Sequence, residues 1–434
     1  MSHPDPAFPS LHVRPASGWV NDPNGLSFVD GVYHVFFQHN PASARHGAIC
    51  WGHVSSTDLV TWRPEPIALR PRPGGPDAFG CWSGTVTLDD GVPTAVYSGV
   101  VEDAGRSQVV LARSDRAMRE WVAETVPVVG MPDDPRVTDV RDPFVLEVDG
   151  RRWAVQGAGL ADGTGAVIAY ACDDLHRWEY RGVVVSSSDP VASEHAPAVV
   201  WECPQLVEVD GVWVLVVSPV RHHGGEAFGT VAWFTGDLTV VDGALVFEPT
   251  AGGQVDTGEA FYAPQALVLE SRVLVWGWAR ETGRSLEESD AAGWSGALTF
   301  PRELRVAGGR VTSTPAAELV RLRRQELVRG AAPLDPVEIP GTAFEVLVAD
   351  VVTDGVRVLL RLGSQVTGVE VPSGGGARLL VDGSVVEVFV DDAPARTLRR
   401  YAGPGDAWSV AVEGSADVTV WALGLPGPGG TSPT

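Results

Sequence analysis

Asp30-Gly31-Val32-Tyr33-His34-Val35-Phe36-Phe37 is a tight-turn dipeptide followed by a short β-branched and aromatic run. Asp-Gly readily adopts the positive φ angles that two-residue hairpin turns need, so the segment reads as a turn opening a strand. The same signal returns in phase: Asp90-Gly91, Asp149-Gly150 and Asp210-Gly211, then Glu270-Ser271, at spacings of 60, 59, 61 and 60 residues. A second series runs out of step with it, at Asp58-Leu59 with Trp62, Asp115 with Trp121, Asp174-Leu175 with Trp178, and Asp237-Leu238. Self-similarity at a fixed period signals a repeat architecture, and all-β repeats of several strands each signal a propeller. Five turns at this period fill residues 10 to 315, which predicts five blades. Segments such as Val32–Phe37, Trp213–Val217 and Val273–Trp278 are strand-like, and the helical stretches that a doubly wound α/β fold requires are missing.

Beyond Pro315 the pattern changes. Residues 316–340 read as a connector, with a short helical or irregular link and then a Pro-containing stretch. From Ala343 alternating strands follow: Phe344–Val348, Val356–Leu362, Ala377–Val381, Val385–Val390, Trp408–Val412 and Val418–Leu423. The expectation is an all-β chain: a five-bladed β-propeller catalytic domain over 1–315, the connector, a small C-terminal β-sandwich over 341–424, and a disordered tail over 425–434.

Composition narrows the partners. Fifteen Trp and 83 Gly plus Pro among 434 residues suit many short strands joined by turns. A net charge of −23 argues against nucleic acid and anionic membranes, which are bound through Lys and Arg. All 32 basic residues are Arg, which biased base composition of the gene explains. Residues 1–10 carry neither a basic nor an apolar targeting segment, and no run approaches a membrane span, so a cytoplasmic protein is expected. Cys50, Cys81, Cys172 and Cys203 lie far apart with no C-x-x-C pair; reduced thiols, no metal and no cofactor are expected. The oligomeric state is left open.

The hairpin phase turns scattered acids into geometry. Seven or eight residues before each turn stand Asp22, Ser83, Asp142, Glu202 and Tyr262, separated by 61, 59, 60 and 60 residues. Equivalent positions of successive blades circle one axis, so these side chains should converge on one mouth of the central channel. A lone Asp before Pro is usually a turn or cap. Three acids in register with a repeat are a site, because converging carboxylates repel one another and raise at least one pKa. Glycosidic cleavage needs two such carboxyl groups, one to protonate the leaving oxygen and one ionised. Trp19-Val20-Asn21-Asp22-Pro23-Asn24-Gly25 is a tight bend presenting Asp22. Arg141 should hold Asp142 ionised for binding sugar hydroxyls, and the apolar neighbours Trp201, Cys203 and Pro204 should raise the pKa of Glu202 as an acid catalyst requires.

At these residues the sequence resembles glycoside hydrolase family 32, the group of invertases, levanases, inulinases and sucrose-6-phosphate hydrolases. The nucleophile motif is matched at Trp19–Gly25, with Val20 where Met is commoner, and the other acidic motifs at Arg141-Asp142-Pro143 and Glu202-Cys203-Pro204. Further matches are Tyr33–Pro41, Trp51-Gly52-His53, Trp82-Ser83-Gly84, Phe261–Gln265, Trp276-Gly277-Trp278, Gly293–Leu304 and Val381–Phe389. The resemblance implies a retaining β-fructofuranosidase hydrolysing sucrose, its 6-phosphate or fructo-oligosaccharides. Asp22 would be the nucleophile, Glu202 the acid/base and Asp142 the transition-state stabiliser. It also implies that Asn21, Gln38, Trp51, Ser83, Arg141 and Asp256 line the fructose pocket, with Trp82 and Trp276 or Trp278 as apolar walls. Trp82 stands where Phe is common, and the C-terminal region is shorter than usual. A fructosyltransferase would share these acids, and a catalytically dead fructan-binding lectin would have no need of them. An inverting pentosidase would lack the motif around Asp22. A 6-phosphate substrate would call for a basic cluster at the rim, for which Arg221-His222-His223 is the candidate.

Overall fold

The computed structural model describes residues 3–102, 106–222, 228–352 and 355–427. Among the described residues strands dominate, with two short α-helices, Pro190–His195 and Leu286–Ala292, and one 3-10 turn at Ala317–Leu322. Among the described residues five sheets follow one another from Gly18 to Pro315, antiparallel except where Gly18 and Trp19 pair in parallel with Trp294 and Ser295, and each is entered by a strand that leads into one of the turns singled out above. These first strands are Gly18–Val29, Gly80–Asp89, Val137–Val148, Val200–Val209 and Phe261–Val268. Asp30, Asp90, Asp149 and Asp210 all have φ between 50° and 52°, with a positive-φ Gly after each, so the turns form as their sequence dictates. Each first strand packs against that of the next sheet, and the fifth against the first, so the five make a closed ring. Apolar side chains fill the wedges between sheets, among them Trp153, Trp201 and Phe234.

The ring strands share a local irregularity. Pairing with the second strand slips between Val20 and Pro23, Cys81 and Gly84, Arg141 and Phe144, Glu202 and Gln205, and Tyr262 and Gln265. Such bulges re-aim side chains and are common beside active sites. Asp142, Cys203 and Ala263 take left-handed φ values of 58°, 46° and 44° at their bulges, each just before a proline. This backbone costs a non-glycine residue about 1 kcal/mol or more. At Asp142 it is offset by bonds from its own N–H to Ser98 Oγ (2.8 Å) and from Cys203 N–H to its carboxylate (2.9 Å).

The C-terminal part is larger than its sequence suggested. The stretch expected as a connector holds two strands, Arg323–Ala331 and Leu334–Ile339, which pair with Asp417–Leu423 and Trp408–Glu413. Exposed positions and the prolines Pro333 and Pro336 hide them, because both lie on sheet edges where alternation is weak. The result is a six-stranded sheet facing a four-stranded one over a core that includes Phe344, Val358, Leu360 and Val410. Along Val356–Leu362 the alternation shows: Val356, Val358, Leu360 and Leu362 are buried while Arg357 and Arg361 face out, with Leu359 between the two arginines also buried. Residues 428–434 of the expected tail lie outside the described residues. Among the described residues no helix is long and apolar enough to cross a membrane.

Candidate active site

At one mouth of the ring lies a cavity of about 280 Å³, close to the ~300 Å³ lower bound for small-molecule sites. Asp22, Asp142 and Glu202 line it together with Asn21, Gln38, Trp82 and Arg141. The repeat therefore brings all three acids into one space, from three different sheets.

Counting back from the turns put Asp22 and Glu202 in equivalent places; the structure corrects this. An extra register shift between Asn24 and Ser27 lengthens the first ring strand by one residue. Asp22 thus matches Ser83, Asp142 and Cys203, while Glu202 matches Asn21, Trp82, Arg141 and Tyr262. The two sets form two levels. The outer set all faces the cavity, whereas Ser83 and Cys203, with Asp142, enclose a small space beneath it. A nucleophile in the lower level and a proton donor in the upper one can address different atoms of one bond.

Hydrogen bonds hold the lower level. Ser83 Oγ donates to Asp22 Oδ2 (2.7 Å), Gln38 Nε2 reaches the same oxygen (3.1 Å), and Asn21 Nδ2 donates to Oδ1 (3.1 Å). The Cys203 thiol lies 3.7 Å from Asp22 and 3.5 Å from Asp142. Burial, reinforced by the charge of Asp142, pushes Asp22 up to about 7 against the pull of the Ser83 bond. Burial and the charge of Glu202 likewise raise Asp142, outweighing Arg141. Arg141 pulls Asp142 toward the ionised form, as expected, without returning it to its ordinary value. Arg141 donates to Glu202 Oε1 (2.8 Å), and Tyr262 OH donates to Glu202 Oε2 (3.0 Å). The setting of Glu202 is polar, because Trp201 beside it in sequence points into the core and the Cys203 thiol points toward Asp22 and Asp142.

The binding residues divide. Asn21, Gln38, Arg141, Trp82 and Trp278 reach the cavity. Trp276 does not: two residues further down the same strand, it is buried with Leu26 and Leu298 below the rim. Trp51 is buried behind Trp82, donating its indole N–H to the Trp82 carbonyl (3.0 Å). Ser83 sits behind Asp22 as its hydrogen-bond partner rather than in the cavity wall. Asp256 lies at the seam with the C-terminal sheets, bonded to Arg302 (2.8 Å) and to Thr397 Oγ1 (2.6 Å). Of the suggested basic cluster, His223 lies outside the described residues, and Arg221 and His222 are exposed.

Sequence reasoning missed Trp19, His46 and Phe228, and gave Tyr262 no binding role; all four line the cavity. Trp19 stood in a quoted motif and Tyr262 in the repeat series. His46 comes from a loop outside the repeat and carried no such signal. Six rings run around the mouth, neighbouring centroids 4.4–6.2 Å apart, in the order Trp82, His46, Trp19, Trp278, Phe228, Tyr262. Among the described residues no group of three or more His, Cys, Asp or Glu side chains is arranged to hold a metal.

Residues 12–315 match the N-terminal domain of glycosyl hydrolases family 32. The chain is 32% identical to a raffinose invertase of Escherichia coli over 96% of its length and 95% of the relative's. It is 31% identical to a sucrose-6-phosphate hydrolase of Klebsiella pneumoniae, covering 95% and 92% of the two chains. Its fold superposes on the GH32 β-fructofuranosidase of Bombyx mori with a TM-score of 0.82 at 25% identity, over 96% of this chain and 94% of that one.

Proposed function

The chain belongs to glycosyl hydrolase family 32 and is a β-fructofuranosidase, and from that premise we propose how its residues divide the reaction. Asp22 is the nucleophile. Its carboxylate attacks C2 of a terminal β-fructofuranosyl unit while Glu202 gives its proton to the glycosidic oxygen, and the leaving sugar departs with that oxygen as a hydroxyl. Glu202 then takes a proton from water, which attacks C2, frees fructose with its configuration retained and restores Asp22. Asp142 binds the fructosyl hydroxyls and stabilises positive charge at C2. Asn21 and Gln38 orient the nucleophile, and Arg141 and Tyr262 orient Glu202.

The observation that carries this division is the two-level arrangement: Asp22 and Asp142 at the floor, Glu202 one level nearer the mouth. A fructosyl ring on the floor puts its glycosidic oxygen at the upper level, within reach of the acid. The five sheets in a closed ring support reading the scaffold as a five-bladed β-propeller, with the two C-terminal sheets as a β-sandwich domain. Sucrose and related short fructosides are the substrates we favour, since raffinose invertase and sucrose-6-phosphate hydrolase are among the relatives.

The test is Asp22→Asn assayed on sucrose, with wild type also run in methanol–water. The variant should lose turnover by about 10⁴-fold, the scale for losing a nucleophile-class residue. Wild type should form methyl β-D-fructofuranoside alongside fructose. Near-normal turnover by the variant, or a methyl glycoside of inverted configuration, would sink the assignment.

A further inference from the structure

The ring strands carry a third level beneath the two that hold the acids. Two residues on from Asp22, Ser83, Asp142, Cys203 and Ala263 stand Asn24, Thr85, Phe144, Gln205 and Gln265, all buried and each paired with the second strand of its own sheet past the bulge. Below that level the ring opens again. A cavity of about 260 Å³, nearly the size of the catalytic one, lies at the opposite mouth between the ends of the first, second, third and fifth ring strands. Between it and the acids is the enclosed space beneath the catalytic cavity, about 10 Å³, which is the size of a single water. Three spaces therefore lie in file along the axis. Among the described residues Asp142 alone lines both of the upper two, and Gln265 alone lines both of the lower two.

Gln265 is held as a crossbar. Its Oε1 accepts from Leu26 N–H on the first ring strand (2.9 Å), and its Nε2 donates to the Gly84 carbonyl on the second (2.8 Å). One side chain of the fifth sheet thus bonds to the backbone of two others and spans the axis in doing so. Gln205, at the same level of the fourth ring strand, also accepts from a neighbouring strand, at Ala266 N–H (2.9 Å). Its Nε2, however, turns back to the Cys203 (3.3 Å) and Pro204 (2.9 Å) carbonyls of its own strand. Neither bond of Gln265 involves a catalytic acid, so what its amide does for the site is fill the way in from below.

The reaction gives that filling a purpose. Asp22 attacks C2 from the floor, and the water that later frees fructose must come from the mouth, where Glu202 takes its proton. Water reaching the floor from below would hydrate Asp22 and Asp142, whose carboxyls are raised chiefly by burial. A hydrated carboxylate is the weaker nucleophile.

We propose that Gln265 is a positioning residue that seals the axis: its amide divides the catalytic floor from the opposite mouth, so that bulk water meets Asp22 only from the side of Glu202. The use made of the seal rests on the β-fructofuranosidase reading; the seal itself does not, so the two can fail separately. The experiment compares wild type with three variants. Gln265→Ala joins the two lower spaces, Gln265→Met fills the axis without either bond, and Gln265→Asn keeps the amide but is one methylene too short to reach both partners. The titratable groups facing Asp22 are Asp142, Glu202 and Cys203, with Arg141 and Tyr262 bonded to Glu202, and all of them are kept in every variant.

The first readout is denaturant unfolding at pH 5 and pH 8. Asp22 and Asp142 have raised folded pKa values, so their contribution to wild-type stability is lost as pH rises through them. Gln265→Ala hydrates the floor, brings both values down and should lose less stability over the same interval. Gln265→Met, although less stable at each pH, should keep the wild-type difference. The second readout is the pH profile on sucrose. The acid limb of kcat/KM should move to lower pH by about one unit in Gln265→Ala and about half as far in Gln265→Asn, and stay in place in Gln265→Met. Should Gln265→Ala not fold, Gln265→Asn against Gln265→Met makes the same comparison. A limb and a pH difference unmoved by Ala and Asn, or moved as far by Met, would overturn the seal. Wild type inactive on sucrose would overturn the fructosidase reading, and the unfolding readout would still decide the seal.

Discussion

Two clusters of acids, each built around three carboxylates, sit at opposite ends of this chain's chemistry. At the mouth, Asp22, Asp142 and Glu202 face one another with Arg141 as the cation among the described cavity residues. At the seam between the ring and the C-terminal sheets, Asp256, Asp382 and Glu387 are fully enclosed with Arg302 and His12. There Arg302 bridges Asp256 (2.8 Å) and Glu387 (2.5 Å), and His12 bridges Asp382 (2.8 Å) and Glu387 (3.0 Å). Backbone N–H groups of Leu11 (2.7 Å), Phe300 (2.8 Å) and Thr397 (2.9 Å) complete the seam. Burial acts on both clusters alike, and the partners decide the outcome. At Glu387 burial pushes the pKa up, but Arg302 and His12 outweigh it and the carboxyl is held below its ordinary value. Burial would likewise empty His12 of its proton, yet Asp382 and Glu387 raise it. At Asp22 nothing of that strength opposes burial, and the carboxyl titrates near neutrality. Paired acids fasten two units together; underpaired acids react.

The sharpest break between the clusters is expected from Glu202→Gln and Arg302→Met. The first should cut sucrose turnover by about 10²–10⁴-fold, the range for a general acid/base, and leave thermal unfolding almost unchanged. The second leaves buried acids without their cation and should cost about 3–5 kcal/mol in denaturant titration, with kcat of the folded fraction within a few-fold of wild type. If Arg302→Met were the catalytic lesion and Glu202→Gln the structural one, the distinction drawn here would be wrong.

A subtler contrast is in pH. Asp22 has a raised folded pKa, so its contribution to stability is greatest below its unfolded value near 3.8 and is lost as pH rises through about 7. Asp22→Asn should therefore stabilise the protein more at pH 8 than at pH 5. Glu387 has a lowered folded pKa, so its contribution is present above the unfolded value near 4.5 and fades as pH falls through the folded one. The deficit of Glu387→Gln should be full at pH 7 and shrink toward pH 3. Melting curves across pH that ran parallel for the two variants would refute the opposition.

The smallest expected effect lies just beneath the pocket. Ser83→Ala removes the bond that holds Asp22 down, so the acid limb of kcat/KM should move to higher pH by about one unit, with activity at pH 6 falling about tenfold. An unmoved limb would show that Ser83 only packs.

How much of this was legible differs by element. The hairpin turns were readable because Asp-Gly is a local requirement of backbone geometry, and their 60-residue phase implied both the ring and the convergence of the acids. The edge strands Arg323–Ala331 and Leu334–Ile339 were not, because an edge strand pairs on one side and keeps little alternation. Trp276 and Trp278 share a strand and a residue type, so sequence could not tell which reaches the cavity. Asp256 looked like a pocket acid until its partners, Arg302 and Thr397, were seen 46 and 141 residues away.

By itself the sequence determined an all-β repeat, three acids in register and the family they resemble, since local turn chemistry and fixed spacing are properties of the chain. Tertiary structure alone decided the level of each acid, because one extra residue in the bulged first strand shifts Asp22 below Glu202. It alone decided, too, which carboxylates meet a cation and which meet each other. Charge compensation depends on distances between sheets, and no spacing along the chain encodes it.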